Sequence, residues 1–229
     1  RGYSGTINFG ENGDALCNPL FQEIFLHVAK RLPSSQRVLY SNMMLMAPGI
    51  AEFLLTHGLA GLTLNMDGAS EQTYRCSKPG LDFDQVSRNL CDFITLRNKI
   101  ASSCRISIQI LPPKRYLELR ERQRAVDLPY DVSEIIHHWS PLLSKKDTIG
   151  ELVHFFHWND RHFKGVRQWS CPPVIIEEML NSAFISTEGD VYLCCLDVDS
   201  QLTYGNVMTT SLYSLWESER RKSVVRDIV

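Results

Sequence analysis

Short apolar segments with β-strand character alternate with amphipathic helical segments along the first two thirds of the chain, and this alternation constrains the fold more than any other feature. Five segments are expected to be strands, at residues 5–9, 37–41, 61–66, 105–111 and 150–158. Apolar residues recur at spacings of three and four between them, which predicts helices over residues 18–32, 47–58, 82–100 and about 131–143. Apolar strands separated by helices are typical of a parallel sheet covered by helices, so the sequence predicts an α/β fold.

The chain after residue 160 has a different pattern. A short strand over residues 183–187, a turn at 188–190 and a second strand over 191–195 precede a last helix from about Ser211. This order predicts a small α+β domain. We therefore expect two domains, residues 1–160 and residues 161–229.

Composition and charge exclude several classes of protein. A chain of 229 residues that is 44% hydrophobic and 22% charged suits a globular protein with an apolar core. Its net charge of −2 gives no reason to expect a nucleic-acid or membrane partner, and no apolar stretch is long enough for a membrane span. Seven cysteines form an odd count without regular spacing, which favours a reducing compartment. We expect a cytoplasmic protein without a signal peptide.

Polar residues follow the first three predicted strands, where the functional loops of parallel α/β folds are found. In the first loop, Gly13 allows close approach of the backbone to a ligand, and Asp14 can accept hydrogen bonds from a cation. Each loop alone also fits an ordinary connection. Their succession predicts one polar cleft, and the residues concerned are Gly13, Asp14, Ser41, Asn42, Asp67 and Gly68.

In their order, these segments resemble the radical S-adenosylmethionine (radical SAM) superfamily. The motifs are INFGENGDALCNPLFQEI, LYSN, LTLNMDGASEQTY and DFDQVSRNL, and the C-terminal part resembles the SPASM-type auxiliary iron–sulfur domain of that superfamily. The match covers roughly residues 5–110 and 150–220. It implies a partial (β/α)6 TIM-like barrel that lacks its first β/α unit, plus a small α+β SPASM-like C-terminal domain.

The resemblance also implies the residues that bind S-adenosylmethionine. The segment 12–15, Asn-Gly-Asp-Ala, lies where the family has a Gly-Gly-Glu-Pro motif that binds the ammonium group. Asp14 keeps the charge of the family's glutamate, while Ala15 in place of proline loosens the turn. Ser41 and Asn42 match a Thr-Asn or Ser-Asn pair, and the next strand carries polar positions that commonly reach the ribose. The implied binding residues are Asn12, Gly13, Asp14, Ser41, Asn42, Asn65 and Asp67.

Three late cysteines are the predicted metal ligands: Cys171, Cys194 and Cys195. The spacing from Gly189 to Cys194 resembles the start of the auxiliary domain, and thiolates from separate segments suit an iron–sulfur cluster. Adjacent strand residues face opposite sides, which favours Cys194 over Cys195. The family's C-x3-C-x2-C motif does not occur in this sequence, so we expect it upstream of Arg1. The remaining cysteines of the auxiliary domain usually follow the last helix in the family, so we expect a chain truncated at both ends.

The resemblance implies a radical SAM enzyme fragment. The intact protein would reductively cleave S-adenosylmethionine at a [4Fe–4S] cluster and so start hydrogen abstraction from a substrate. One such cluster is expected in the missing N-terminal part and one or more are expected in the auxiliary domain. A reductant for the cluster and a peptide or protein substrate are the expected partners. Two alternatives stay open: a non-catalytic module that binds S-adenosylmethionine or a partner on a degenerate barrel, and a small zinc site at the three cysteines.

Overall fold

The computed structural model describes residues 3–10, 13–110, 131–151, 177, 180–194, 197 and 202–226. These residues belong to two compact units, Arg1–Val153 and His154–Val229, and each unit is described by itself. The domain boundary expected near residue 160 lies outside the described residues.

A five-stranded parallel sheet forms the first unit, and its spatial order follows the chain. Its strands are β1 (Thr6–Phe9), β2 (Gln36–Tyr40), β3 (Leu59–Asn65), β4 (Arg105–Ile110) and β5 (Thr148–Glu151). The connecting helices are α1 (Phe21–Arg31), α2 (Pro48–Thr56), α3 (Glu71–Ser77), α4 (Phe83–Lys99) and α5 (Val132–Trp139). The predicted α/β class is confirmed, although the described strands form an open sheet and not a closed barrel. None of the described helices is long and apolar enough to cross a membrane.

Side-chain caps determine where several of these helices begin. The side chain of Asp82 accepts a hydrogen bond from the backbone N–H of Gln85 at 2.9 Å and so starts α4. Asp131 caps α5 in the same way through the N–H of Ser133, and Ser70 forms a reciprocal capping box at the start of α3. Such caps satisfy backbone donors that have no partner inside the helix, so the sequence marks these helix starts locally.

Two predicted elements differ in their bounds. Helix α1 begins at Phe21 and not at residue 18, because a short 3-10 turn at Ala15–Cys17 comes first and the side chain of Asn18 accepts a hydrogen bond from the next turn. Pro19, which the predicted helix over residues 18–32 would include, therefore lies just before α1. Strand β5 begins at Thr148, and the end of the strand predicted over residues 150–158 lies outside the described residues.

Apolar side chains from the inner strands and the helices form the core of the first unit. Strand β3 is buried along most of its length, as expected for a central strand covered on both faces. Strand β4 alternates between buried and partly buried positions. Fully buried members of this core include Phe25, Leu39, Leu54, Leu62, Leu64, Val86, Leu90, Phe93, Ile106, Ile108 and Trp139.

One ion pair lies inside this core. The guanidinium of Arg97, near the end of α4, donates to Asp147 Oδ1 at 2.5 Å and to the carbonyl of Cys104 at 3.4 Å, and both charged side chains are fully buried. Asp147 also accepts hydrogen bonds from the N–H of Ile106 at 2.8 Å and from the N–H and hydroxyl of Ser144. The pair therefore connects α4 with the start of β4 and with the turn before β5.

An antiparallel three-stranded sheet forms the described part of the second unit. The structure has two helices after the last strand, where the sequence predicted one. The hydroxyl of Ser218 accepts a hydrogen bond from the N–H of Arg221 and so starts the second of them. The elements are β6 (Phe184–Ile185), β7 (Asp190–Tyr192), β8 (Thr203–Asn206), α6 (Leu212–Trp216) and α7 (Glu219–Arg226). The core of this unit consists of Val191, Leu193, Cys194, Tyr204, Leu215 and Val224.

We expect Asp147→Asn to lower the free energy of unfolding by about 3–5 kcal/mol, because it leaves the buried charge of Arg97 without its counter-ion. Denaturant unfolding measures this loss. Glu71→Gln is the matched control: it breaks the exposed ion pair with Arg75 and should change the free energy by less than about 1 kcal/mol. Equal losses in the two variants would contradict a structural role for the buried pair.

The protein should also lose stability in acid, because Asp147 becomes protonated there. Burial by itself would raise the pKa of this carboxyl, but hydrogen bonds from Arg97, Ser144 and Ile106 outweigh it and hold the pKa at about 2, below the ordinary 3.8. Because the pKa is lower in the folded state, the stabilisation is fully present well above pH 4 and disappears as the pH falls through 4 towards 2. It amounts to about 2 kcal/mol. Unfolding free energies measured from pH 6 downward should fall less steeply in Asp147→Asn than in the wild type, and identical slopes would contradict this assignment.

Candidate functional site at the carboxyl edge of the sheet

The loop after β1 and the loop after β2 meet at the carboxylate of Asp14. Its Oδ2 atom accepts hydrogen bonds from the hydroxyl of Ser41 at 2.8 Å and from the backbone N–H of Asn42 at 2.9 Å. Its Oδ1 atom accepts from the N–H of Leu16 at 2.9 Å, which starts the 3-10 turn. Three predicted site residues, far apart in sequence, thus form one hydrogen-bonded group. Asn12 lies outside the described residues.

Two glycines give the first loop its course. Gly10 has a φ of +90°, and a Cβ atom there would lie 2.6 Å from the carbonyl oxygen of Tyr40, so only glycine fits where this loop crosses the end of β2. Gly13 has a φ of +125°, but a Cβ atom there would meet no described atom within 4 Å. The backbone conformation, and not crowding by the described protein, accounts for glycine at position 13.

The loop after β2 is fixed by hydrogen bonds from both sides. The N–H of Met43 donates to the hydroxyl of Ser41 at 3.0 Å, and the N–H of Met44 donates to Asn42 Oδ1 at 2.9 Å. From α4, the side-chain amide of Asn89 donates to the carbonyl of Met43 at 2.7 Å. The sequence analysis missed Met43 and Asn89. The available signal for Asn89 was a side-chain amide among the apolar residues on the core-facing side of an amphipathic helix.

Asp67 lies just beyond the end of β3 and is almost fully buried. The ammonium of Lys78 is 3.4 Å from its Oδ2 atom. The neighbouring Gly68 is tightly packed, since a Cβ atom there would lie 2.5 Å from the backbone nitrogen of Tyr74, and its carbonyl accepts a hydrogen bond from the indole of Trp139 at 3.4 Å. Asp67 is thus buried next to the tightly packed Gly68 and close to the ammonium of Lys78.

The environment of Tyr74 reflects the same burial. Its side chain is fully buried against Phe83, with ring centroids 5.5 Å apart. Burial, and secondly the charge of Asp67, raise the pKa of the Tyr74 hydroxyl well above its ordinary value. The hydroxyl therefore stays protonated throughout the physiological range.

The carboxyl ends of β1, β2 and β3 lie at one edge because the three strands are parallel neighbours. Asp14, Ser41 and Asn42 stand at the first two ends. Asn65, the last residue of β3, is half-buried, and Asp67 follows it. The predicted polar residues that the structure describes therefore share one edge of the sheet, whereas their roles in binding remain predictions.

Cys194 follows β7 and is buried in the core of the second unit. Its carbonyl accepts a hydrogen bond from the N–H of Asp197 at 3.0 Å, and Asp197 Oδ2 accepts from the N–H of Leu202 at 2.6 Å. These bonds link the end of β7 to the start of β8. The other two predicted metal ligands, Cys171 and Cys195, lie outside the described residues.

Comparison with known proteins gives independent information on both units. A model of the SPASM family, described as an iron–sulfur cluster-binding domain, matches residues 177–228. No curated protein matches the sequence significantly.

Several solved structures share the fold. The structure of anSMEcpe with bound AdoMet (S-adenosylmethionine) has a TM-score of 0.62 and 16% identity, covering 97% of this chain and 66% of that one. BtrN in an open conformation has a TM-score of 0.51 and 10% identity, covering 98% and 64%. Streptococcus suis SuiB bound to S-adenosylmethionine has a TM-score of 0.53 and 13% identity, covering 93% and 54%. The chain spans less than two thirds of the length of each of these proteins.

These relatives are radical SAM enzymes, so the chain has the fold of that class of protein. Its C-terminal part carries a SPASM-type domain. The predicted resemblance to the radical SAM superfamily is therefore confirmed as a shared fold, and the resemblance to the SPASM domain as a family match over residues 177–228. The bound AdoMet of anSMEcpe and SuiB and the iron–sulfur description of the matched family agree with the predicted cofactors.

We expect Asp14→Asn to lower the free energy of unfolding by about 1–3 kcal/mol. Both oxygens of Asp14 accept hydrogen bonds, so the amide nitrogen of asparagine must face at least one donor and leave it unpaired. Denaturant unfolding measures the loss. Asp84→Asn on the exposed first turn of α4 is the matched control and should change the free energy by less than about 0.5 kcal/mol. If Asp14→Asn behaves like this control, Asp14 does not join the two loops.

Proposed function

We propose that the chain is part of a radical SAM enzyme that binds S-adenosylmethionine at the carboxyl edge of β1–β3 and an auxiliary iron–sulfur cluster in its C-terminal unit. One observation carries this proposal: Asp14, Ser41 and Asn42 form a hydrogen-bonded group at that edge. The fold shared with structures that contain bound AdoMet supports it.

The bonding of Asp14 leaves room for an ammonium group. A carboxylate has about four positions at which it accepts hydrogen bonds, and donors among the described residues occupy three of them. We assign the fourth position to the ammonium of S-adenosylmethionine, because the negative charge of the carboxylate favours a cation. Ser41 and the N–H of Asn42 orient the carboxylate, while Asn12 and Gly13 contribute the adjacent backbone.

Asn65 is the better candidate for contact with the ribose. It is half-buried at the end of β3, whereas Asp67 is almost fully buried and has the ammonium of Lys78 3.4 Å away. A buried carboxylate beside a cation cannot reach a ligand unless that cation moves. We therefore assign direct contact to Asn65 and support of the turn to Asp67.

We assign the auxiliary cluster to Cys194 together with Cys171 and Cys195. The SPASM match includes two of these three cysteines, and thiolates are the ligands of iron–sulfur clusters. The C-x3-C-x2-C motif is absent from the sequence, so we place the cluster that cleaves S-adenosylmethionine in a segment outside it. When bound, that cluster supplies the radical chemistry, and the residues of this chain bind and orient the cofactor and exclude competing reactions.

A peptide or protein substrate is the proposed target of the hydrogen abstraction. The anSMEcpe structures that share this fold contain bound peptides, Cp18Cys and Kp18Cys. We further propose a reductant as partner, which reductive cleavage requires, and the cytoplasm as the place of action.

A paired experiment tests the two cofactor sites separately in the full-length protein, prepared anaerobically. We expect Asp14→Ala to weaken binding of S-adenosylmethionine ten- to a hundredfold, on the basis of about 1.5–3 kcal/mol for a hydrogen bond to a charged group, with iron content unchanged. Cys194→Ala should lower iron and sulfide and leave that affinity unchanged. Calorimetric titration and metal analysis provide the two measurements.

Two matched variants control this experiment. Asp84→Ala removes an exposed carboxylate and should leave the affinity unchanged. Cys104→Ala removes a buried thiol of the first unit, and its iron content should equal that of the wild type, since burial raises the pKa of Cys104 to about 12 and keeps it protonated. Unchanged affinity in Asp14→Ala would remove Asp14 from the site. Zinc without sulfide would contradict the cluster, and binding without cleavage under a strong reductant would favour the non-catalytic alternative.

A further inference from the structure

Asn89 is an amide on the buried face of α4. Only 5% of its surface is exposed, and its helical neighbours on that face are apolar, including Val86, Leu90 and Phe93. A buried amide costs free energy unless its hydrogen bonds are satisfied. The partners of Asn89 therefore explain why an apolar residue does not occupy this position.

These partners lie in the loop after β2. Asn89 Nδ2 donates to the carbonyl of Met43 at 2.7 Å and to the carbonyl of Met44 at 3.3 Å. Carbonyl oxygens only accept hydrogen bonds, so the nitrogen of the amide must face the loop. Asn89 Oδ1 accepts from Gln85 Nε2 at 2.8 Å, one turn earlier on α4, and this bond fixes the orientation of the amide.

Met43 has an unusual backbone conformation. Its φ of +68° is left-handed, which is unfavourable for a residue with a side chain and persists only where the surroundings enforce it. The side chain of Met43 is fully buried, its N–H donates to the hydroxyl of Ser41, and its carbonyl is bound by Asn89. The hydroxyl of Ser41 in turn donates to Asp14.

A chain of hydrogen bonds therefore runs from α4 to the candidate site, through Gln85, Asn89, Met43, Ser41 and Asp14. If the bond from Asn89 is lost, Met43 has less reason to keep its left-handed φ. A change in that angle turns the N–H of Met43 away from Ser41, and Ser41 then loses the contact that orients its hydroxyl towards Asp14.

We propose that Asn89 is a positioning residue for the S-adenosylmethionine site: it holds the loop after β2 in the conformation that directs Ser41 and Asn42 to Asp14. It acts from the outer helix through the carbonyls of Met43 and Met44 and does not touch the cofactor itself. The expected effect of Asn89 on cofactor affinity rests on the proposed function. Its expected effect on the conformation of the loop does not.

Asn89→Leu tests this role, because leucine is close to asparagine in size and shape but cannot donate to the loop. We expect affinity for S-adenosylmethionine in the anaerobically prepared full-length protein to fall on the order of three- to tenfold, which is part of the free energy of the two hydrogen bonds that the loop loses. Amide hydrogen exchange at residues 42–44 should accelerate in the absence of the cofactor.

Ile94→Val is the matched control for stability. It removes a methyl group from the buried face of the same helix and lowers stability without touching a hydrogen bond, so affinity and exchange at residues 42–44 should stay at wild-type values. If Asn89→Leu lowers stability and leaves both quantities unchanged, Asn89 is a structural residue only and the proposal is overturned.

Failure of the proposed function and failure of the variant to fold can each be distinguished from failure of this inference. If the wild type fails to bind S-adenosylmethionine, the proposed function fails, while exchange at residues 42–44 still decides the role of Asn89 in the loop. If Asn89→Leu does not fold, Asn89→Ala replaces it, because the smaller side chain also lacks the donor and cannot clash with its neighbours. Faster exchange at residues 42–44 in Asn89→Ala would support the proposal, and unchanged exchange would overturn it.

Discussion

The carboxylate of Asp14 is the interaction on which the candidate site depends. Parallel strands bring the loops after β1 and β2 to the same edge of the sheet, but that placement alone does not fix the loops relative to each other. Asp14 does so by accepting hydrogen bonds from the hydroxyl of Ser41, the N–H of Asn42 and the N–H of Leu16. Because a carboxylate accepts from several donors at once, one side chain can join two loops and still offer charge to a ligand.

Helix α4 connects this edge with the opposite edge of the sheet. Near its middle, Asn89 binds the loop after β2, and about two turns later Arg97 pairs with Asp147, which lies just before β5 and also binds the start of β4. Both side chains are polar and buried, and both have partners on other elements. Burial strengthens such bonds and makes their loss costly, so they specify how the helix lies on the sheet better than apolar contacts alone. At the amino end of the sheet Arg97 and Asp147 bond to each other, which indicates a role in stability, whereas at the carboxyl end Asp14 bonds to the backbone and side chain of two loops.

The second unit has its own sheet and its own core. Cys194 is buried in that core, and Asp197 links the end of β7 to the start of β8. A cysteine that is packed in a core at the end of a strand has a defined position, and thiolates are the ligands of iron–sulfur clusters. This arrangement agrees with the SPASM match over residues 177–228.

The sequence by itself determined the order of strands and helices, several helix starts and the residue types at the carboxyl edge. These features are local: apolar periodicity, capping side chains such as Asp82, and polar residues that directly follow apolar strands. The sequence did not predict the start of α1, because the hydrogen bonds that delay it to Phe21 involve side-chain geometry in the preceding turn. Only the tertiary structure decided that Asp14 bonds to Ser41 and Asn42, that Asp67 is buried beside Lys78, and that Asn89 holds a left-handed Met43. Each of these contacts joins residues that are distant in the chain, and such contacts exist only once helices and strands have packed.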